Sequence, residues 1–276
     1  MKFLSKFYIG LIFLILYAPI LVVVLFSFNE SGSLSSFSGF SLYWYEELFR
    51  DSEALTALKN SLVLAVSSSL LATVIGTFAA FGISRARSKY YQKLVEGVSN
   101  IPMMNPDIVT GVSMMLLFVG VGTMIGVGNM LGLWTMLMAH TTFNLPYVIL
   151  SVLPKFRQMD KSLSEAALDL GCTPAQTFMR VELPYIMPGV FSGLMMSFTL
   201  SLDDFVISHF VSSPDFKTLP LYIYNQTAHE VKFSMYALCT LMMVVILCLL
   251  IAVNLAGAVG ERRLRKKDKQ AMGGVK

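Results

Sequence analysis

Six apolar runs, each about as long as a bilayer core is thick, decide what this chain can fold into. They are Tyr8–Phe28, Ser61–Ile83, Val98–Val121, Leu131–Leu153, Ile186–Phe210 and Met235–Gly257. At about 1.5 Å per helical residue, each reaches across the roughly 30 Å of hydrocarbon a spanning helix must cross. Lipid offers no partner to backbone N–H and C=O groups, so such a segment closes its hydrogen bonds within itself, as a helix. The expected class is all-α, a polytopic membrane protein with six spans. Composition agrees. Only 14% of the 276 residues are charged, where a soluble domain carries about a quarter. Ser-rich sequence follows the first run, as it could follow a leader. The run's apolar core exceeds the roughly 7–15 residues of a signal peptide, so it reads as a retained first span.

Lys and Arg set the orientation, because cytoplasmic connections hold the excess of both. Lys2 and Lys6 precede the first span, and Arg85, Arg87, Lys89 and Lys93 lie between the second and third. Lys155, Arg157, Lys161 and Arg180 flank the connection between the fourth and fifth, and Arg262, Arg263, Arg265, Lys266, Lys267 and Lys269 follow the sixth. The other connections hold Arg50 and Lys59, none, and Lys217 and Lys232. Both termini and the 160–184 connection are therefore expected in the cytoplasm. The net charge of +4 follows from this asymmetry and from anionic lipid headgroups, without nucleic acid as a partner.

The 160–184 connection is the most specific part of the chain. It reads Glu165-Ala166-Ala167, three residues, Gly171, nine residues, then Val181-Glu182-Leu183-Pro184. With Glu165, Asp169, Arg180 and Glu182 it is too charged to lie in lipid. Glu-Ala-Ala opens a helix with strong formers and an acid toward the positive end of its dipole. Gly171 permits a left-handed cap, Pro174 can start a second short helix, and Leu183-Pro184 is expected to break the chain before the next span. The prediction is a compact helix–turn–helix on the membrane surface.

This stretch resembles the cytoplasmic coupling loop, or EAA loop, of bacterial ABC importer permeases. That family's pattern is Glu-Ala-Ala, three residues, Gly, nine residues, Ile-x-Leu-Pro. Every spacing matches, and Val181 stands for the Ile. The resemblance implies a type I permease fold from about Leu55 to Gly257, with Glu165, Ala166, Ala167, Gly171, Leu183 and Pro184 docking the ATPase. It divides the chain into an N-terminal span and external segment (1–54), a permease core (55–258) and a basic tail (259–276). The implied partners are ABC ATPase subunits, a second permease and an extracytoplasmic solute-binding protein, at a bacterial inner membrane.

Acids within spans are costly, about 2.5–3.5 kcal/mol each at a helix centre, and ask for a reason. Asp107 falls about ten residues into the third run, near its middle, on a face with Asn100, Met103, Thr110 and Met114, in a helix that Pro102 and Pro106 are expected to interrupt. Asp203 and Asp204 fall about 26 Å along the fifth run. Two stripes pass through them: Ser192, Met196, Thr199 and Asp203, and Ser197, Ser201, Asp204 and Ser208. Adjacent residues point about 100° apart, so the two acids need not face one cavity. At least one is expected to serve the solute path. Outside the spans, Tyr43-Trp44-Tyr45-Glu46-Glu47 reads as an interfacial belt helix, with Trp44 a candidate for cation–π attraction near the mouth.

The run Ser201-Leu202-Asp203-Asp204-Phe205-Val206-Ile207, with Thr218-Leu219-Pro220-Leu221 downstream, is similar to the spermidine/putrescine branch of these permeases. Permeases for other small cations and for some phosphonates share parts of it. A gradient-driven secondary transporter is the competing class, but such a carrier needs no ATPase dock. The sequence holds no Gly-x-x-x-x-Gly-Lys-Ser/Thr element, so ATP is expected on a partner and no cofactor on this chain. His140, His209 and His229 have no metal spacing and read as local structural residues. Cys172, Cys239 and Cys248 read as packing residues, and no nucleophile–base pair suggests an enzyme.

Overall fold

The computed structural model describes residues 2–33, 36–127, 130–228, 232–248 and 251. The basic tail expected over 259–276, the end of the sixth run and His229 lie outside the described residues. The chain divides into two compact units, one from Met1–Thr56 with Ile223–Lys276, the other Ala57–Tyr222.

In the first unit, α1 (Lys2–Phe26) is exposed along its spanning stretch, as a helix facing lipid should be. The loop after it is wound on Asn29, which is wholly buried. Its carboxamide donates to the carbonyls of Ser33 (2.8 Å) and Ser36 (2.9 Å) and accepts from the Ser38 N–H (3.0 Å). A buried amide satisfied on both ends fixes a loop that Ser and Gly would otherwise leave loose. The short helix α2 (Tyr43–Arg50) follows. The apolar helix Phe233–Cys248 also belongs here.

The second unit carries the core. It holds α3 (Ser52–Arg85) from Ala57 onward, α4 (Lys89–Met104), α5 (Asp107–Ile125), α6 (Leu133–Gln158), α7 (Lys161–Asp169), α8 (Pro174–Thr177), α9 (Leu183–Asp203) and α10 (Val206–Val211). α11 (Leu219–Thr227) begins within it. Among the described residues, Lys6–Phe26, Ser52–Arg85, Asp107–Ile125, Leu133–Gln158 and Pro174–Asp203 are long and apolar enough to cross a membrane, with Phe233–Cys248 as a shorter sixth.

Helices in lipid gain nothing from simple apolar contact, so close approach has to supply the packing. α9 meets α6 through glycines. A methyl at Gly189 would lie 2.8 Å from the Ser151 carbonyl, and one at Gly193 would lie 3.2 Å from the Val148 Cα. Gly76 brings α3 to the same place, where a methyl would meet Val148 Cγ1 at 2.7 Å. Around this seam Ala72, Ala80, Ile83, Val148, Val152, Phe156 and Ile186 form one buried cluster.

Three expectations are corrected. The third run is interrupted at Pro106, as expected, but not at Pro102, which stays inside α4: α4 ends at Met104 and α5 begins at Asp107. Pro106 lacks an N–H and forces Asn105 into extended backbone (φ −75°, ψ 140°). Asn100 and Met103 therefore lie on a different helix from Asp107, Thr110 and Met114, and Asp107 starts a helix rather than sitting midway along one. The fifth run breaks as well, between Asp203 and Val206. Leu183-Pro184, by contrast, does not break the chain. Helix continues from Pro174 to Asp203 through a π-helical turn, Phe178–Glu182. That wider turn gives the Pro184 ring room a regular α turn would deny it, at the junction where the hydrogen-bond register changes.

Candidate functional site

The connection ahead of α9 is a rigid hairpin because each of its ends is capped by its own sequence. Asp160 opens α7 by accepting the Ser162 N–H at 3.0 Å. Hydrogen bonds from Ser162, backbone first and side chain second, hold the Asp160 carboxyl below the usual aspartate range. Gly171 closes α7 at φ +85°. The Cys172 N–H reaches the Ala167 carbonyl at 3.0 Å and the Gly171 N–H reaches Leu168 at 2.9 Å, the paired pattern of a Schellman cap. Thr173 and Gln176 then cap α8 reciprocally, at 3.3 and 2.9 Å, with Pro174 in its first turn.

Glu165 and Ala166 are exposed on α7, Ala167 is buried, Leu183 is half-buried against the core, and Pro184 is exposed. The hairpin also shows water large apolar side chains, Leu170 (87% exposed) and Met179 (61%) among them. A loop that owes its shape to internal caps, yet leaves such residues open, is suited to be covered by a soluble partner.

Glu182 received no role from its position in the motif. It is 1% exposed. One carboxylate oxygen pairs with Arg85, at the end of α3, and accepts from Ser164 Oγ at 2.8 Å. Arg85 also lies 5.5 Å from the Phe81 ring, and Phe81 meets Phe178 of the π turn edge-on at 4.8 Å. The one signal in the sequence was a charge inside an apolar motif.

At the other end of α9 the two acids part company. Asp203 is exposed, and so are Ser192, Met196 and Thr199 along its stripe. Ser197, Ser201 and Ser208 of the other stripe are buried, and the Asp204 side chain is 8% exposed. Asp204 accepts the N–H groups of Ile207 (3.2 Å) and Ser208 (2.8 Å), which starts α10. It also lies 3.4 Å from Nε2 of His140. The His140 ring bonds Ser201 at 2.8 Å and Ser208 at 3.2 Å, and Ser201 meets Ser68 of α3 at 2.8 Å. This buried network ties α3, α6, α9 and α10 together, so the local structural part expected of His140 is a cross-helix one.

Asp107 is exposed in the first turn of α5, where the helix dipole favours a carboxylate. One turn further, a methyl at Gly111 would lie 2.9 Å from Phe210 and 3.4 Å from the Val206 carbonyl, so α5 packs on α10 just past the broken end of α9. Trp44 lies in the first unit and is engaged there. Its indole N–H donates to the Asn29 carbonyl at 2.7 Å, and its ring lies 5.4 Å from that of Phe233.

Comparisons with known proteins bear on this arrangement. The sequence profile of a family described as "Binding-protein-dependent transport system inner membrane component" matches residues 72–266. The chain is 36% identical over 258 residues to the "Putrescine transport system permease protein PotI" of Escherichia coli (strain K12), covering 94% of this chain and 89% of that one. It is 38% identical over 253 residues to the "Spermidine/putrescine transport system permease protein PotC" of Haemophilus influenzae, covering 92% and 96%. A chain of a bacterial ABC transporter involved in alginate import has the same fold, at a TM-score of 0.73 and 17% identity over 95% of both chains. A chain of the MetNI methionine ABC transporter superposes at 0.63 and 18%, over 80% of this chain and 99% of that one.

Proposed function

This chain belongs to the family of binding-protein-dependent transport system inner membrane components, and from that premise we propose that it is a permease subunit of an ATP-driven importer of polyamines. The observation that carries the reading is 36–38% identity, over more than nine-tenths of the chain, to permeases named for putrescine and spermidine. It is a transport subunit and not an enzyme; ATP is hydrolysed on a separate subunit. The capped hairpin of α7 and α8 docks that ATPase, with Glu165, Ala166, Ala167, Gly171, Leu183 and Pro184 forming or holding the docking surface. A second permease completes the membrane pore, and an extracytoplasmic binding protein delivers the solute.

Within the pore, Asp203 meets the solute. It is an exposed carboxylate at the end of a stripe of exposed polar and thioether side chains, and a carboxylate holds an alkylammonium by charge-assisted hydrogen bonds. Asp107 takes a further ammonium group of the same extended cation. Asp204 holds the end of α9 in place, and Trp44 supports the external loop. Both termini lie in the cytoplasm, by the asymmetry of Lys and Arg.

Uptake of labelled putrescine and spermidine into vesicles holding all the subunits tests the substrate. No uptake of either by the intact complex would reject it. Reporter fusions after Lys276 and within the 31–41 loop test the orientation and should lie on opposite sides of the membrane.

A further inference from the structure

Glu182 is a charged residue buried at the meeting point of three elements. Arg85 comes from the last turn of α3, Ser164 from α7 one residue before Glu165, and Glu182 itself from the π turn that leads into α9. Arg85 and Glu182 are 97 positions apart, so the contact is made by the fold and not by the motif. A buried carboxylate is tolerated only where a counter-charge and hydrogen bonds hold it. Here one oxygen takes both Arg85 and Ser164, while the second, also buried, has no hydrogen-bond partner among the described residues. Arg85 is thus the only cation paired with this carboxylate among the described residues, and the side chain of Arg85 is itself 54% exposed. Phe178 reinforces the same joint, with its ring 4.8 Å from Phe81 and 6.0 Å from Phe78, both on α3.

We infer that Glu182 is a positioning residue that clamps the coupling hairpin to the end of α3, so that ATPase motion reaches two spanning helices at once. Motion of α7 passes to α9 along the chain, through α8 and the π turn. Motion reaches the end of α3 sideways, through the Arg85–Glu182 pair and the Phe178 contact. Without the pair, α9 still follows the hairpin while α3 lags, and the turnover of ATP no longer drives both helices together. The inference rests on the hairpin being the ATPase dock.

The test uses the assembled importer, with ATPase, partner permease and binding protein, reconstituted in vesicles with the three native cysteines replaced by alanine. Nitroxides on Leu168→Cys and Arg87→Cys report the separation of α7 from the end of α3. With Arg85 and Glu182 intact, one narrow distance distribution is expected both without nucleotide and with ATP trapped by vanadate. Arg85→Gln leaves the buried carboxylate without its cation. It should broaden the distribution in the trapped state and lower binding-protein-stimulated ATP hydrolysis about five-fold, at unchanged amounts of assembled complex. Arg85→Gln with Glu182→Gln removes the stranded charge as well as the ion pair, and should lose about as much of the stimulation as Arg85→Gln alone. Glu182→Gln alone keeps side-chain volume and an acceptor for Ser164, and serves if Arg85→Gln fails to assemble. A distribution that superimposes on that of the intact pair in both states would overturn the clamp, as would full recovery of stimulation in the double variant, which would assign the loss to the stranded charge alone. Gly171→Arg separates the two readings. If it leaves ATPase binding and stimulated hydrolysis untouched, the hairpin is not the dock. If it abolishes them while the Arg85 and Glu182 variants behave as the intact pair, the clamp alone falls.

Discussion

Two faces of α9 carry the same kinds of side chain and do different things with them. One face presents Ser192, Met196, Thr199 and Asp203 outward; the other buries Ser197, Ser201 and the Asp204 side chain, the last two against His140 and the start of α10. Asp203 and Asp204 are neighbours of identical chemistry. What separates them is the end of the helix: once the chain leaves α9, two backbone N–H groups come within reach of Asp204, and none among the described residues reaches Asp203. Polar residues in a spanning helix thus do not by themselves mark a solute path. At Asp204 the protein supplies the partners, and Asp203 is left open.

The sharpest way to break this comparison is to truncate each acid and measure stability. Asp204→Ala leaves the N–H groups of Ile207 and Ser208 without their acceptor and should cost about 3 kcal/mol, seen as a lower Tm in detergent. Asp203→Ala should shift stability by less than about 0.5 kcal/mol, as at an open surface site. Equal losses would erase the distinction. Function should divide the other way. Asp203→Asn keeps size and hydrogen bonding but removes the charge, and is expected to cut uptake of labelled putrescine about ten-fold with normal assembly.

The hairpin offers a smaller effect that should be independent of both acids. Gly171→Val forces a β-branched residue into the left-handed region and should strain the hairpin by about 1–2 kcal/mol. Less ATPase should co-purify, and the thermal loss from Asp204→Ala should be unchanged when the two substitutions are combined. The smallest effect belongs to Asp160. Its folded-state pKa is depressed, so its contribution to the α7 cap is full above the ordinary aspartate range and is lost as pH falls through the folded value. Hydrogen exchange at Ser162 should therefore gain protection as pH rises out of the acid range, after correction for intrinsic rates. Asp160→Asn, still a competent cap, should flatten that dependence.

Legibility follows the range of the interaction responsible. The hairpin could be read from Gly171 and Pro174 because a cap is a contact within four residues. Span existence could be read too, since the cost of exposing backbone to lipid applies to any long apolar run. Helix breaks were harder. Pro102 remains inside α4 while Pro106 ends it, and the two look alike in sequence. The division of the α9 stripes was foreseen as an angle but not as an assignment, because His140 and Ser68 approach from 61 and 133 positions away. Glu182 lay beyond reach for the same reason: its counter-charge is on another helix.

The unbroken helical stretch from Pro174 to Asp203 has a mechanical consequence. Thirty residues at about 1.5 Å each make a rod of about 45 Å. If it pivots near one end, a tilt of about 5° sweeps the other end through about 4 Å, more than the length of a hydrogen bond. A nudge on the hairpin that is too small to disrupt its caps is therefore enough to displace the Asp203 carboxylate by more than a hydrogen bond's length.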